Sequence, residues 1–277
     1  MTELKTFQKF YAAYVTASVG VTNPRIVKAF ASVPREDFLG PGPWEVNVDE
    51  GYILTPSADP ALIYQDIVVA LAPDRRINNG EPSLHARMLD AVSPKEGDRV
   101  LQVGCGSGYY TALLAELVGA SGRVTAMEID PEMAVWAQRT LADRPNVTVI
   151  CRSGIEPPLP ESDIIYVSAG ASEPVAAWRN ALSASGRLLF PLTPGWRFGA
   201  LLLVVRTSDP VVYGARFVTR AGFIPCAGAQ SEPLAERLHA AFEDSRWADV
   251  RTLRIGSPPD KTCWLAGDGW WLSTQSR

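Results

Sequence analysis

The residues best suited to bind a ligand are three glycines in the segment "VLQVGCGSGYYTALLAEL", which begins at Val100. Gly104, Gly106 and Gly108 follow an apolar run typical of a buried strand and precede a helical pattern. Glycines in such a loop allow a sharp turn and let a ligand approach the backbone closely. The helix that begins near Tyr109 offers free backbone N–H groups in its first turn. The segment therefore predicts a ligand-binding loop.

An acidic residue follows at the distance that a nucleoside-binding site requires. Glu128 lies in "AMEID", twenty residues after Gly108, at the end of the next predicted strand. A carboxylate there can accept hydrogen bonds from two ribose hydroxyls. A dinucleotide-binding loop has the pattern G-x-G-x-x-G, whereas the third glycine comes one residue earlier here. The spacing favours an adenosine ligand without a pyrophosphate, and we predict S-adenosylmethionine. The alternative is a tight strand–helix turn with Glu128 as a solvated carboxylate.

The elements that must position this loop alternate between strands and helices. Predicted strands are "RVLQV", "RVTAMEI", "NVTVIC", "DIIYVSA" and "GRLLFPL", and predicted helices are "YYTALLAELV", "DPEMAVWAQRTLAD" and "EPVAAWRNALS". Asp130 and Pro131 are typical of a helix start. Strands separated by helices of this length need crossover connections. We therefore predict a doubly wound, Rossmann-like α/β fold with a mostly parallel sheet.

Both ends of the chain predict additions to this core. A helical pattern runs from Thr2 to about Ser32 and contains two helices, whereas residues 40–82 favour irregular structure with short strands. "SLHARMLDAV" predicts a further helix. Beyond the core, "ALLLVVRT" and "VVYGARFV" indicate an antiparallel edge, "EPLAERLHAAFED" a helix, and "VRTLRI" and "CWLAGDGWWLS" a small β-rich extension.

These patterns divide the chain into three predicted segments. Residues 1–82 form N-terminal helices and an irregular substrate-side segment, residues 83–230 the cofactor-binding α/β domain, and residues 231–277 a C-terminal helix with a tryptophan-rich hairpin. The hairpin region contains Trp247, Trp264, Trp270 and Trp271. These four side chains could line an apolar pocket or form a dimer contact, but we favour a role in covering a sheet face.

Composition excludes several classes of protein. The 277 residues carry a formal net charge of −4 without a run of Lys or Arg, which argues against a charge-driven nucleic-acid binder. Four separated cysteines and two histidines provide no metal-ligand cluster, so we expect no metal. The first twenty residues lack the apolar core of a signal peptide, and no stretch is long enough to cross a bilayer. We expect a cytoplasmic protein with reduced thiols and no membrane partner.

The order of the segments resembles the protein-L-isoaspartate (D-aspartate) O-methyltransferases, a family of class I S-adenosylmethionine-dependent enzymes. The similarity begins at "NPRIVKAFASVPREDFL" and continues through "YQDI", the glycine loop, "GRVTAMEID" and "SDIIYVSAGASEPVAAWRNALSASGRLLFPL". It fades near "GFIPCAG", so that it covers most of residues 23–230. The resemblance implies a methyltransferase that uses S-adenosylmethionine.

The resemblance also implies which residues bind the cofactor. The cofactor would be lined by Gly104, Cys105, Gly106 and Gly108, its ribose held by Glu128 with Ile129, and its adenine approached by Ser153 and Gly154. In the family the position of Ser153 is an aspartate that binds the adenine amino group, so one hydrogen bond can remain but the charge is lost. His85 matches a histidine found near the cofactor in some members. A surface histidine or a satisfied core histidine is the alternative.

A departure from the family lies just before this histidine. The family carries Thr-Ile-Ser-x-Pro, whose serine approaches the acceptor carboxylate. Alignment on Pro82 places Gly80 at the serine position, within a loop of candidate substrate-side catalytic residues: Asn78, Asn79, Gly80 and Glu81. Glycine supplies no hydroxyl. Asn78 and Asn79 could replace the lost donor, or the loop could be a simple turn. We favour an altered substrate over an inactive enzyme, because the cofactor-binding residues are otherwise present.

The function predicted from these residues is O-methylation of a carboxylate or hydroxyl on a modified peptide or a small metabolite, rather than efficient isoaspartyl repair. A carboxylate acceptor needs no general base, whereas a hydroxyl or amine acceptor would use Glu81 or His85, the nearest candidates in sequence. The alternatives are a small-molecule N-methyltransferase and a non-catalytic cofactor-binding module that contacts partners through its tryptophan-rich tail.

Overall fold

The computed structural model describes residues 3–48 and 51–276. Its helices are α1 (Glu3–Ala17), α2 (Pro24–Ser32), α3 (Pro82–Val92), α4 (Tyr109–Val118), α5 (Pro131–Thr140), α6 (Ala176–Asn180) and α7 (Glu232–Phe242). Its strands are β1 (Glu45–Val48), β2 (Gly51–Leu54), β3 (Ala70–Ala72), β4 (Ile77–Asn78), β5 (Arg99–Val103), β6 (Arg123–Glu128), β7 (Val147–Cys151), β8 (Ser162–Val167), β9 (Leu182–Leu192), β10 (Gly199–Val205), β11 (Val212–Ala221), β12 (Thr252–Ile255), β13 (Cys263–Gly267) and β14 (Trp270–Ser273). Within the described ranges, no helix has the length and apolar character needed to cross a membrane.

The chain separates into two compact units. The first contains residues 1–98 and 105–152, and the second contains residues 99–104 and 153–277. This division differs from the three segments expected from sequence, which stay a prediction. Thr2, where we expected the first helix to begin, lies outside the described residues.

The first unit contains the N-terminal helices and the short strands expected between residues 40 and 82. Helix α1 packs against α2 and α3. Strands β1 and β2 pair antiparallel, as do β3 and β4, while β6 and β7 pair in parallel. Helix α4 is the most deeply buried of these helices, because only Glu116 among its residues is exposed. The glycine loop that leads into α4 is therefore anchored to a buried helix.

The second unit is organised around eight strands in the order β13-β14-β12-β11-β10-β9-β8-β5. Strands β5, β8 and β9 are parallel, and all later neighbours are antiparallel. The antiparallel edge predicted at β10 and β11 is present, but the sheet continues beyond it through the tail strands. The carboxyl ends of the three parallel strands therefore share one edge, where ligands bind in open α/β sheets.

One predicted helix is much shorter than expected. The segment "EPVAAWRNALS" predicts a helix over residues 173–183, but α6 ends at Asn180 and β9 begins at Leu182. Leu182 is buried and pairs with Ser162 of β8, and the Ser162 N–H donates to the Ala181 carbonyl at 2.8 Å. Burial and strand pairing outweigh the helical pattern of these last residues.

The tryptophans of the tail pack against the sheet and helix α7. Phe217 of β11 and Phe242 of α7 contact the Trp264 ring edge to face, with centroids 5.3 and 5.2 Å apart. Trp264, Trp270 and Trp271 are all buried. These side chains therefore contribute to the interior of the second unit, in keeping with a covering role.

We predict that Trp264→Ala lowers the free energy of unfolding by about 3–5 kcal/mol, because it empties a buried aromatic cluster. Trp264→Phe is the matched control and is expected to cost less than about 1.5 kcal/mol. Phenylalanine keeps the ring contacts and removes an indole N–H that has no hydrogen-bond partner among the described residues. Guanidinium denaturation followed by circular dichroism measures both values. Equal losses in the two variants would contradict the packing described here.

Candidate active site

The glycine loop has a backbone that other residues adopt only with strain. Gly106 and Gly108 have φ values of +54° and +96°, in the left-handed region. A Cβ on Gly108 would also lie 2.8 Å from Cδ1 of Leu141. Gly108 is the residue before α4, so the loop leads directly into the first turn of that helix. Both conformation and packing therefore require glycine at this end of the loop.

The Glu128 carboxylate joins the glycine loop to the start of α5. Its Oε2 accepts the Gly106 N–H at 2.8 Å, and its Oε1 accepts the Asp130 N–H at 3.0 Å. The two carboxylate oxygens offer about four acceptor sites between them, so acceptor capacity remains for a ribose hydroxyl. Burial raises the pKa of this carboxyl, and the backbone N–H groups lower it in part. The arrangement fits a nucleoside that presents two hydroxyl donors.

Two neighbours of this carboxylate add apolar surface. Ile129 is 54% exposed although it is large and apolar, so its side chain is available to a ring of the ligand. Cys105 is buried, and burial raises the pKa of its thiol, which therefore stays protonated. Cys105, Gly106, Gly108, Glu128 and Ile129 all belong to the first unit, and a direct hydrogen bond joins two of them.

Three further predicted cofactor residues, Gly104, Ser153 and Gly154, belong to the second unit, whereas His85 belongs to the first. Gly104 follows β5 and lies beside Ser168 and Ala169, which follow β8. A Cβ on Gly154 would lie 2.5 Å from Cγ1 of Val103, so Gly154 packs tightly against the last residue of β5. The Ser153 hydroxyl accepts a long, 3.5 Å hydrogen bond from the Ile155 N–H. Its local role is a turn.

Gly80 lies against a stacked pair of rings. Its φ is +76°, and a Cβ on it would lie 2.5 Å from Nε2 of His85. The His85 ring stacks on Tyr110, with centroids 3.4 Å apart and an interplanar angle of 7°. The Tyr110 hydroxyl donates to the Gly80 carbonyl at 3.2 Å. The imidazole therefore occupies the space that a serine side chain would need.

His85 is fully buried, and burial lowers its pKa to about 3. The imidazole is therefore neutral at physiological pH and a poor proton acceptor. Glu81 differs, because burial and the neighbouring Asp66 carboxylate raise its pKa. Of the two candidate bases, Glu81 is the better suited to accept a proton near neutral pH.

The two asparagines of the loop hold its backbone. The Asn78 Oδ1 accepts the Gly80 N–H at 2.9 Å, which closes a turn. The buried Asn79 accepts the Val69 N–H at 2.9 Å, and its amide nitrogen has no partner among the described residues. Both asparagine oxygens thus fix the loop.

Sequence reasoning missed two arginines that support this loop. Arg35 is fully buried and donates to the carbonyls of Ile63, Gln65 and Ile67 and, at 3.4 Å, to the Asn79 oxygen. Arg35 lies in the segment "NPRIVKAFASVPREDFL", but nothing in that segment indicates which carbonyls its side chain reaches.

The second is Arg75, which forms ion pairs with Asp130 at 2.5 Å and Glu132 at 2.7 Å. It connects the substrate-side segment to the start of α5. No local sequence signal indicates this pairing, because the partners lie more than fifty residues away.

Comparison with known proteins agrees with this geometry. A family model described as protein-L-isoaspartate(D-aspartate) O-methyltransferase matches residues 14–231. The protein-L-isoaspartate O-methyltransferase of Aeropyrum pernix is 32% identical over 214 residues, which cover 75% of this chain and 74% of that protein. The enzyme of the same name from Thermotoga maritima is 28% identical over 76% of this chain, and the match spans 64% of its length.

Solved structures give the same result for the fold. A protein-L-isoaspartate O-methyltransferase structure superposes with a TM-score of 0.68 and 26% identity, covering 84% of this chain and 70% of that one. A putative protein-L-isoaspartate O-methyltransferase from Plasmodium falciparum, solved with S-adenosyl-L-homocysteine, superposes at 0.60 with 17% identity and covers 79% and 97% of the two chains. The second likeness concerns the fold alone.

The fold and the glycine–carboxylate site define a class I S-adenosylmethionine-dependent methyltransferase, and the predicted Rossmann-like fold with a mostly parallel central sheet is confirmed. Within that class, the chain belongs to the protein-L-isoaspartate(D-aspartate) O-methyltransferase family.

We predict that Glu128→Ala weakens S-adenosylhomocysteine binding by about 1.5–3 kcal/mol, the scale of hydrogen bonds to a charged group. Isothermal titration calorimetry measures the change. Binding needs the ionised carboxylate, and the pKa of Glu128 is raised from its ordinary value of 4.5. As the solution is acidified, the affinity should therefore begin to fall at a higher pH than it would with a glutamate of ordinary pKa. Glu128→Gln has no such group and should lose this pH dependence; an unchanged profile would contradict the assignment.

We also predict that Gly80→Ala costs more stability than Gly20→Ala. The two glycines have nearly equal φ values, +76° and +74°, but a Cβ on Gly20 meets nothing within 4 Å. Gly20→Ala should cost about 1–2 kcal/mol for backbone strain. Gly80→Ala should cost a further ~1–3 kcal/mol, because His85 must move. Thermal unfolding of both variants tests this, and equal costs would show that the His85 ring does not fill the space.

Proposed function

We propose that this chain is an S-adenosylmethionine-dependent O-methyltransferase that methylates a carboxylate or hydroxyl of a modified peptide or small metabolite, and that it does not repair isoaspartyl peptides efficiently. The observation that carries the second part is the Gly80–His85 contact. The serine hydroxyl expected from the family is absent, and a ring fills the space beside Gly80.

The residues present fit the cofactor. Glu128 offers two acceptor oxygens, Ile129 offers an apolar side chain, and the glycine loop leaves its backbone accessible. We assign cofactor binding to these residues together with Gly104, Cys105, Gly106 and Gly108. The supporting positions Ser153, Gly154 and His85 are part of the same proposal. The cofactor would supply an activated methyl group, so that the chain has to orient the acceptor and exclude water.

The acceptor-side residues in this proposal are Asn78, Asn79, Gly80 and Glu81. Asn78 and Asn79 shape the loop through hydrogen bonds to backbone N–H groups. Glu81 stands at the start of α3, and its raised pKa suits it to accept a proton from a hydroxyl acceptor. A carboxylate acceptor would need no proton acceptor.

The relatives named above are isoaspartate methyltransferases, and the match spans 64% of the length of the Thermotoga maritima protein. Family membership gives the reaction type, whereas the loop around Gly80 determines the acceptor. The loss of one positioned hydrogen-bond donor from a water-excluded site typically lowers the rate about a hundredfold or more.

We predict that methyl-ester formation on an isoaspartyl peptide is at least about a hundredfold slower than with the Aeropyrum pernix relative assayed in parallel. Transfer of labelled methyl from S-adenosylmethionine, followed by base release, measures both rates. Gly80→Ser alone should not restore activity, because the new side chain meets His85. Gly80→Ser combined with His85→Ala makes room for the hydroxyl and should raise the rate. Robust turnover by the unmodified chain would contradict the proposal.

A further inference from the structure

The hairpin formed by strands β3 and β4 contacts both residues that donate backbone hydrogen bonds to the Glu128 carboxylate. Cδ1 of Leu71 lies 3.6 Å from the position that a Cβ on Gly106 would take. At the turn of the hairpin, Arg75 forms an ion pair with Asp130 at 2.5 Å. Gly106 and Asp130 are the two backbone donors to Glu128. The hairpin therefore flanks the carboxylate to which we assign the cofactor ribose, and all of these residues belong to the first unit.

The hairpin is too short to keep this position by strand pairing alone. Strand β3 has three residues and β4 has two, and even longer two-stranded hairpins are only marginally stable in water. The base of the hairpin is fixed, because the Asn79 N–H donates to the Val69 carbonyl at 3.0 Å and the Val69 N–H donates to Asn79 Oδ1 at 2.9 Å. Residues 73–76 of the turn are exposed. The contacts that the turn makes therefore decide whether it stays against α5.

Arg75 provides these contacts with two nitrogens of its guanidinium group. Nη1 pairs with Asp130 Oδ2 at 2.5 Å, and Nη2 pairs with Glu132 Oε2 at 2.7 Å. The other oxygen of Asp130, Oδ1, accepts the N–H groups of Glu132 and Met133 at 3.0 and 3.1 Å and caps α5. The Asp130 carboxylate is thus held in one orientation by the helix. Partly exposed ion pairs contribute little to the stability of a whole protein, so the effect of Arg75 is local to the hairpin.

We propose that Arg75 is a positioning residue that holds the β3–β4 hairpin against the start of α5 and thereby slows both entry and release of the cofactor. This inference rests on the assignment of the cofactor ribose to Glu128 in the proposed function. While Arg75 is paired, the hairpin stays in contact with both residues that donate to Glu128. A ligand on that carboxylate leaves after the ion pairs open, and opening of a covering segment often limits product release.

The rates of S-adenosylhomocysteine binding test the inference without requiring turnover. Surface plasmon resonance, with this ligand passed over the immobilised chain, measures association and dissociation separately. We expect Arg75→Gln to raise the dissociation rate about threefold or more, the scale of two partly exposed ion pairs. The same ion pairs open for entry, so the association rate should rise as well. The dissociation constant should therefore change less than either rate, whereas loss of a direct ligand contact would raise the dissociation rate alone.

Two matched variants distinguish a held hairpin from a change in overall charge. Arg139→Gln removes the same charge from the last turn of α5 and should leave both rates unchanged. Glu132→Gln removes one of the two ion pairs of Arg75 and should also raise both rates, by less than Arg75→Gln. The two variants Arg75→Gln and Glu132→Gln change the net charge in opposite directions, so a long-range effect of charge would shift the association rate in opposite directions.

Salt provides an independent measurement, because exposed ion pairs are screened at high ionic strength. Raising sodium chloride from about 50 mM to about 500 mM should raise both rates in the unmodified chain and change them little in Arg75→Gln. Thermal unfolding midpoints of all variants should be nearly equal, which shows that the rate changes do not come from a loss of folded protein.

Three results would each overturn the inference: an unchanged dissociation rate in Arg75→Gln, an equal increase in Arg139→Gln, or faster dissociation without faster association. Rates that move in opposite directions in Arg75→Gln and Glu132→Gln would also overturn it in favour of a simple effect of charge. Absence of S-adenosylhomocysteine binding to the unmodified chain would instead overturn the proposed function.

Discussion

The hydrogen bonds accepted by the buried Glu128 carboxylate are the constraint on which the candidate active site depends. One oxygen fixes Gly106 and the other fixes Asp130. Asp130 caps α5 through the N–H groups of Glu132 and Met133, and it also pairs with Arg75. One buried acid thus connects the glycine loop, the start of a helix and the segment that leads to the acceptor loop. Burying a carboxylate is costly unless such donors are present.

The loop around Gly80 shows why a single residue difference should be interpreted together with the side chains that contact it. Gly80 lacks the hydroxyl that the family resemblance predicts at this position, and it leaves room for the His85 ring to approach the backbone. Tyr110 stacks on a face of that ring, and its hydroxyl donates to the Gly80 carbonyl. The glycine, the imidazole and the phenol therefore form one packed group, and a change at one position alters the other two.

In the second unit, the antiparallel strands β10 to β14 carry most of the packed aromatic residues. Strands β10 to β14 add sheet surface, and the aromatic residues of β11, α7 and β13 cover part of it. The Phe242 and Trp264 rings are buried and therefore contribute stability. Trp196 and Phe198, in the loop between β9 and β10, stay exposed, and this loop is hydrogen-bonded at Thr193 and Gly195. Burial thus distinguishes the packed aromatic residues of this unit from the two exposed ones.

The sequence by itself determined the features that depend on neighbouring residues. The glycine spacing, the Asp130 cap, the alternation of strands and helices, and the register that brings Glu128 to the loop all follow from short segments, and the family fold follows from their order. The end of α6 was predicted wrongly, because the pairing of Leu182 with β8 overrides local helix propensity.

Only the tertiary structure decided which distant side chains meet. Arg35 reaches three carbonyls nearly thirty residues or more away, and Arg75 reaches Asp130 at the start of α5. His85 stacks on Tyr110 of α4 and fills the space beside Gly80. The order of strands β10 to β14 in the sheet was likewise decided only by the tertiary structure. Such contacts depend on the packing of whole elements, which fixes distances that no local pattern of residue types encodes.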